Sequence, residues 1–259
     1  MNFSKHIGID YSGAAKACTP SKTLQIYQTD SSGKVRPVSK ETISKSASRN
    51  WSRIEIYNWL SEQFSVASTE KRPIIVGIDH GFSFPISYFK RYRLKSWNSM
   101  LIDFCRHWPT HQAEATVQQF RNSSKRTGDS KELRLTERWT SSAKSVFQFD
   151  VQGSVAKSTH AGLPFLNRIK QKQDVHVWPF DGWKPETGRS VIAEVFPSIF
   201  RNRYARDNRT VDQQDAFSIA SWLFQTDQDG YLNSRYLNPP LTSDQQNIAE
   251  LEGWILGVC

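Results

Sequence analysis

The segment at residues 74–79 reads IIVGID, an unbroken apolar run that ends in an acidic residue. It is too short for a buried helix and is typical of a strand covered on both faces. Its last three residues repeat those of a second short apolar run, Gly8-Ile9-Asp10. We expect the two strands to be parallel neighbours, so that Asp10 and Asp79 emerge at one carboxyl edge, where open α/β sheets bind their ligands. Each Asp shares a strand face with the glycine two positions earlier, which is expected to leave open space beside the carboxylate.

The segments around these two strands predict a mixed sheet flanked by helices. Alternation of apolar and polar residues indicates hairpin strands, and helical spacing of apolar residues indicates the helices. The further predicted elements are strands at 23–29, 34–39, 175–178 and 190–196 and helices at 50–64, 163–170 and 211–224. We predict one domain over residues 1–259, with a helical, basic insertion at 86–146 after the fourth strand.

Four acidic residues form the candidate catalytic and metal site. Asp10 and Asp79 end apolar strands, Glu194 interrupts an apolar run, and Asp215 lies in the first turn of the clearest helix. An Asp after a strand can also simply start a turn, but clustered carboxylates repel one another unless a cation lies among them. Mg²⁺ and Mn²⁺ prefer hard oxygen ligands, and two such ions can hydrolyse phosphodiester bonds. Asp212 is expected to be peripheral, because a first-turn acid is already favoured by the helix dipole.

The positive charge of the chain is concentrated in one stretch. The net charge is +9, and residues 90–144 hold twelve basic and five acidic residues with aromatic residues interleaved. Such a stretch suits a phosphate backbone with stackable bases, although an ordinary solvated surface can carry the same pattern. We predict DNA or RNA as the partner, bound through Lys90, Arg91, Arg93, Lys125 and Arg126.

Several classes of protein are not expected from this composition. No stretch approaches the about 20 apolar residues that span a bilayer, and the first residues lack the apolar core of a signal peptide. Three widely spaced cysteines argue against a disulfide framework. The chain contains no Walker-type phosphate loop. We therefore expect a cytoplasmic protein with no membrane partner.

The order of these segments resembles the RNase H-like fold. More closely, five segments are similar to an uncharacterised family, a domain of unknown function, of predicted nucleases with that fold. They are GIDYSG at 8–13, GIDHGFSFP at 77–85, AEVFP at 193–197, DAFSIA at 215–220 and EGWILG at 252–257. The resemblance implies a five-stranded mixed sheet and a hydrolase whose metal ligands are Asp10, Asp79, Glu194 and Asp215. The chain departs from the better-known RNase H enzymes, since it has no clear counterpart of their acid on the first helix.

Two other functions remain open beside a metal-dependent nuclease. The segment Asp10-Tyr11-Ser12-Gly13 also satisfies the Asp-x-x-Gly pattern of the actin and sugar-kinase group, ATP-dependent phosphotransferases with a similar core. Those proteins duplicate the domain and use paired glycines, and this chain has no Gly-Gly pair. The other alternative is a catalytically silent nucleic-acid-binding protein, which would gain nothing from a carboxylate cluster.

Overall fold

The computed structural model describes residues 3–30, 32–40, 48–140 and 142–259. The strands are β1 Lys5–Asp10, β2 Gln25–Thr29, β3 Val35–Pro37, β4 Ile74–Asp79, β5 Val175–Trp178 and β6 Ser190–Glu194. They form one sheet in the order β3-β2-β1-β4-β6-β5, in which the β2 and β3 pairings are antiparallel and the others parallel. The predicted mixed α/β class is confirmed. The sheet has six strands in the described residues rather than the five predicted, because β5 pairs with the outer side of β6.

Eight α-helices accompany the sheet in the part of the chain that the structure describes. They are α1 Arg53–Thr69, α2 Ile86–Tyr92, α3 Trp97–His107, α4 Val117–Ser123, α5 Leu135–Arg138, α6 Ala156–Lys172, α7 Val211–Gln228 and α8 Ser243–Glu252. Helices α2–α5 lie within residues 86–146, the segment predicted as a helical insertion. In the described ranges, none of the helices combines the length and the hydropathy needed to cross a membrane.

The two faces of the sheet are covered by different helices. Ile7 and Ile9 of β1 and Ile78 of β4 pack with apolar residues of α1 and α6 in one core. On the opposite face, Ile75 of β4 packs with residues of α7 in a second core. Because successive side chains of a strand point to opposite faces, the residues between those of the first core face α7.

Glycines on β1 and β4 allow α7 to approach the sheet closely. A Cβ atom on Gly8 would overlap the carbonyl oxygen of Ala216 and lie 2.6 Å from the backbone nitrogen of Ala220. A Cβ atom on Gly77 would lie 2.7 Å from the Ile219 side chain. The expectation that these glycines leave open space beside the carboxylates was therefore wrong. The space is filled by the backbone of α7, which fixes the first turn of that helix above the carboxyl ends of β1 and β4.

Candidate carboxylate site

The strand register brings two of the predicted acids together. Asp10 and Asp79 are direct partners in the parallel pairing of β1 and β4, so the prediction that they lie on adjacent parallel strands is confirmed. Glu194 is paired with Ile78 at the end of β6, on the other side of β4. Asp215 is the fifth residue of α7, just before the part of the helix that packs closely on the two glycines. The four predicted acids thus come from three neighbouring strand ends and one helix.

Burial and mutual repulsion make these carboxylates difficult to ionise. Burial raises the pKa of Asp10 well above its ordinary value, and the charges of Asp79, Asp212 and Asp215 raise it further. Burial likewise raises the pKa of Asp79, together with the charges of Asp215 and Glu194, against the opposing effect of Arg201. Asp212 was expected to be peripheral, yet its charge acts on Asp10. The electrostatic site consequently includes Asp212 as well.

Three of the acids have carboxylate oxygens that make few or weak contacts. Oδ1 of Asp79 is buried and has no hydrogen-bond partner. Asp10 is only 9 % exposed, and none of the described residues donates a hydrogen bond to its carboxylate. Asp215 accepts two long contacts from one nitrogen of Arg201, at 3.3 and 3.4 Å. A buried polar atom without a partner is costly, so this site favours a positively charged or hydrogen-donating ligand.

Glu194 differs from the other three because it is already neutralised. Arg134 donates hydrogen bonds from Nη2 to Oε1 at 2.6 Å and from Nη1 to Oε2 at 2.8 Å. The backbone N–H of Phe82 donates a third, to Oε2, at 2.9 Å. The side chains of Arg134 and Glu194 are 1 % and 5 % exposed. Glu194 can therefore bind a cation only if the guanidinium group moves away.

Arg134 is held by a second set of partners. Its Nε donates to Glu137 at 2.8 Å, and its Nη1 donates to the backbone oxygen of Glu252 at 3.3 Å. Although burial opposes the charged form, Glu194 and Glu137 raise the pKa of Arg134 above its ordinary value. The Glu252 carboxylate in turn accepts hydrogen bonds from the backbone N–H groups of Ile86 and Leu135, at the starts of α2 and α5. The segment at 252–257, which carried part of the family resemblance, therefore closes this side of the site.

The sequence did not indicate this role of Arg134. Arg134 lies within the basic stretch at 90–144, where the local sequence does not distinguish it from a surface arginine. One signal was available, since Glu137 follows Arg134 at the i, i+3 spacing of a helical pair, and its carboxylate accepts hydrogen bonds from the backbone N–H and from Nε of Arg134. Its main partner, Glu194, is 60 residues away in the sequence, which no local pattern can reveal.

The five residues predicted to bind nucleic acid lie on α2, just after it, and on the segment that follows α4. Arg91 is paired with Glu132. Arg126 donates two hydrogen bonds to Asp103, at 2.5 and 2.8 Å. The other three, Lys90, Arg93 and Lys125, are exposed and form no ion pair with any described residue. Two of the five predicted cations are thus already neutralised by carboxylates of the protein.

A second group of basic residues was missed, and it lies beside the carboxylates. Residues 201–209, between β6 and α7, hold four arginines and one acid. Arg201 contacts Asp215, and Arg206 donates a hydrogen bond to the backbone oxygen of Arg209 at 2.8 Å. This local excess of arginines is visible in the sequence, but it does not stand out when charge is counted over a much longer segment.

The carboxylate oxygens of these acids are ligands that suit Mg²⁺ or Mn²⁺. The acids differ in how many hydrogen bonds each would lose on binding a cation. In the described part of the chain, no group of three His, Cys, Asp or Glu side chains is arranged so that it could hold a metal ion. Asp10 and Asp79 have no hydrogen bond to give up at the atoms described above, and Asp215 would lose only long contacts. Glu194 would have to lose three short hydrogen bonds. The three aspartates would therefore lose fewer hydrogen bonds than Glu194 on binding a cation, although they are not arranged as a metal site in this structure.

Comparison of the chain with protein-family models, with curated proteins and with solved structures gives no match. The function must consequently be inferred from the site itself.

Proposed function

We propose that this protein is a metal-dependent nuclease of the RNase H-like kind, which hydrolyses phosphodiester bonds in DNA or RNA. Its catalytic acids and metal ligands would be Asp10, Asp79 and Asp215, with Glu194 at the rim of the same site. The proposal is supported above all by the register pairing of Asp10 with Asp79 under the first turn of α7, together with the unpartnered buried Oδ1 of Asp79.

A divalent cation would relieve the cost of gathering these carboxylates. Uncompensated like charges in a partly buried site repel one another, and hard oxygen ligands favour Mg²⁺ or Mn²⁺. When bound, such an ion polarises a phosphoryl oxygen and lowers the pKa of water. Loading of two ions would need Glu194 as a further ligand. It would therefore require Arg134 to give up its hydrogen bonds to that carboxylate.

Residues of the chain itself would bind the cation, contact the substrate phosphate and set the charge of the site. Asp10 and Asp79, whose pKa values are raised by burial, would exchange a bound proton for the cation as the site is loaded. Arg201 would contact the substrate phosphate beside Asp215. His80 is buried next to Asp79, and burial lowers its pKa to about 4, so it stays neutral and adds no charge to the site. We further expect a cytoplasmic location, where the free thiols of the chain persist.

The two alternatives are weighed by specific contacts. A Cβ atom on Gly13 would overlap the backbone of Lys157 on α6, so the Asp-x-x-Gly loop is packed against a helix and has little room to cradle a nucleotide phosphate. This argues against a phosphotransferase. A catalytically silent nucleic-acid-binding protein is favoured by one observation, the neutralisation of Glu194 by Arg134. It remains the second candidate.

The test is cleavage of labelled single-stranded, duplex, hybrid and junction substrates with Mg²⁺, with Mn²⁺ and with chelator. We expect metal-dependent cutting that falls by orders of magnitude in Asp79→Asn and Asp215→Asn. Asp244→Asn is the control, because Asp244 is an exposed aspartate near the start of another helix, α8, outside the carboxylate site. Mn²⁺ binding, followed by calorimetry, should be lost in the same two variants. Binding of substrate without cutting at any metal concentration would favour the silent binder instead.

A further inference from the structure

The segment at residues 201–209, called here the arginine segment, lies at the mouth of the carboxylate site. It starts with the 3₁₀ turn Arg201–Arg203 and ends just before α7. Arg201 touches Asp215, while Arg209 lies with its guanidinium carbon 3.7 Å from the centre of the Phe217 ring on the same helix. Both ends of the segment are therefore fixed to the helix that supplies Asp215.

The arginines in this segment keep hydrogen-bond donors free. Arg201 is 39 % exposed and uses only Nη1 in its contact with Asp215. The side chain of Arg203 is exposed and forms no hydrogen bond or ion pair with the residues that the structure describes. Arg206 is exposed and uses only Nε, toward a backbone oxygen. Arg209 differs from the other three, because its guanidinium group contacts Gln214, Asp207 and the ring of Phe217.

An open groove continues from the arginine segment along α7. Its volume is about 490 Å³, and its lining includes Arg209, Asp207, Tyr204 and Phe217 together with Lys34 and Val35 of the β2–β3 hairpin. Cationic and aromatic side chains together suit a nucleic-acid strand, whose phosphates need positive charge and whose bases need flat apolar partners. The groove follows α7 from Phe217 to Gln225, and Asp215 lies nearer the start of the same helix.

We propose that Arg201, Arg203 and Arg206 form the phosphate-binding surface that guides a nucleic-acid strand into the carboxylate site. This inference rests on the proposed nuclease function and names the surface that meets its substrate. It replaces the expectation that Lys90, Arg91, Arg93, Lys125 and Arg126 carry out this task.

Charge complementarity supports this surface over the other. A cluster of carboxylates repels a phosphodiester, so the substrate must gain attraction close to the point of cleavage. Arg201 contacts Asp215 of the carboxylate site directly, whereas Arg91 and Arg126 on the α2 side are paired with Glu132 and Asp103. Planar guanidinium groups also bind phosphate with two parallel hydrogen bonds, which a lysine cannot do.

The test compares two double variants that remove the same number of charges. Arg203→Gln with Arg206→Gln changes the arginine segment and leaves Arg201 and the carboxylates intact. Lys90→Gln with Lys125→Gln changes two exposed, unpaired cations of the α2 side. Binding of a fluorescein-labelled DNA duplex is measured by anisotropy in chelator over a range of salt concentrations, so that cleavage cannot interfere. Urea unfolding checks that both variants fold.

The arginine variant should flatten the slope of log affinity against log salt by about 1.8, from about 0.9 for each lost phosphate contact. The lysine variant should leave the slope within about 0.3 of wild type by the same rule. Arg203→Lys with Arg206→Lys, which keeps both charges, should restore most of the slope. A larger effect of the lysine variant, equal effects of the two, or no binding by the wild type would overturn the inference.

Cleavage is scored separately, with Mn²⁺. Salt-dependent binding through the arginines without any cutting would refute the nuclease and leave this surface standing. Metal-dependent cleavage that is unchanged in the Arg203 and Arg206 variant would support the nuclease and refute this phosphate-binding surface.

Discussion

Replacing Arg134 by methionine is the sharpest perturbation of this site, because the side chain is almost completely buried and donates four hydrogen bonds. Met keeps an unbranched apolar side chain, but it is shorter and carries no charge. The change would leave Glu194 and Glu137 without their cation in the interior. Breaking a buried ion pair by removing one partner costs about 3–5 kcal/mol. For a chain of this size, about 4 kcal/mol corresponds to a fall in Tm of roughly 7 °C.

The matched control is Arg121→Met. Arg121 also donates two hydrogen bonds to one carboxylate, both at 2.6 Å, but its partner Asp150 is 75 % exposed. Water and salt screen such a pair, so little or no change in Tm is expected. Both variants are measured by thermal and urea unfolding under the same conditions. Equal losses in the two would refute the argument that burial makes the Arg134 contacts important.

The loss in Arg134→Met should depend on pH in a definite direction. Burial already raises the pKa of Glu137 above its ordinary value, against the opposing effect of Arg134, and removal of the guanidinium group raises it further. A carboxyl whose pKa is higher in the folded than in the unfolded state destabilises the fold above that pKa and regains stability as pH falls through it. The difference from wild type should therefore shrink between neutral pH and about pH 5. Adding Glu194→Gln should recover part of the loss, and strictly additive losses would contradict the pairing.

Three further changes test other parts of the structure. Gly8→Ala should destabilise the protein by about 1–3 kcal/mol or more in urea unfolding, because the new methyl group overlaps the backbone of α7, and unchanged stability would refute that close approach. Asp79→Asn should stabilise the metal-free protein at neutral pH. It should also remove the rise in stability that the wild type shows as pH falls through the raised pKa of Asp79. A variant less stable than wild type at pH 7.5 would count against charge repulsion in the site. Burial lowers the pKa of His160 from 6.5 to about 3, so its contribution to stability is lost as pH falls below 6.5. His160→Phe should weaken that acid sensitivity, whereas His107→Gln, at a half-exposed position, should leave it unchanged.

The sequence allowed those parts of the fold to be predicted that depend on local patterns. The runs that end in Asp10 and Asp79 carry both the strand signal and the acid in a few residues, and their parallel pairing followed from the repeated tripeptide. The helix that bears Asp215 begins at Val211 as predicted, because its apolar periodicity and its cap at Thr210 are local too. Its end was placed four residues early, at 224 instead of Gln228.

The parts that could not be predicted depend on contacts between distant segments. A basic residue within a basic stretch gives no sign that it is buried, and the partner that pairs with Arg134 in the interior, Glu194, lies on β6 far along the chain. Gly8 and Gly77 were expected to leave open space, but the element that fills it, α7, follows them by well over a hundred residues. Counting charged residues over a shorter stretch of sequence would have revealed the arginine segment.

The close packing of α7 on Gly8 and Gly77 also has a consequence for synthesis of the protein. Asp10 and Asp215 are 205 positions apart in the chain. At ribosomal rates of about 5–20 residues per second, the face of β1 that carries Gly8 waits roughly 10–40 s for its covering helix. During that interval β2, β3, α1 and β4 can assemble, and the helices of residues 86–172 can form through contacts that are short in sequence. The nascent chain therefore carries an uncovered strip of sheet until α7 emerges, and the carboxylate site is completed only as that strip is closed.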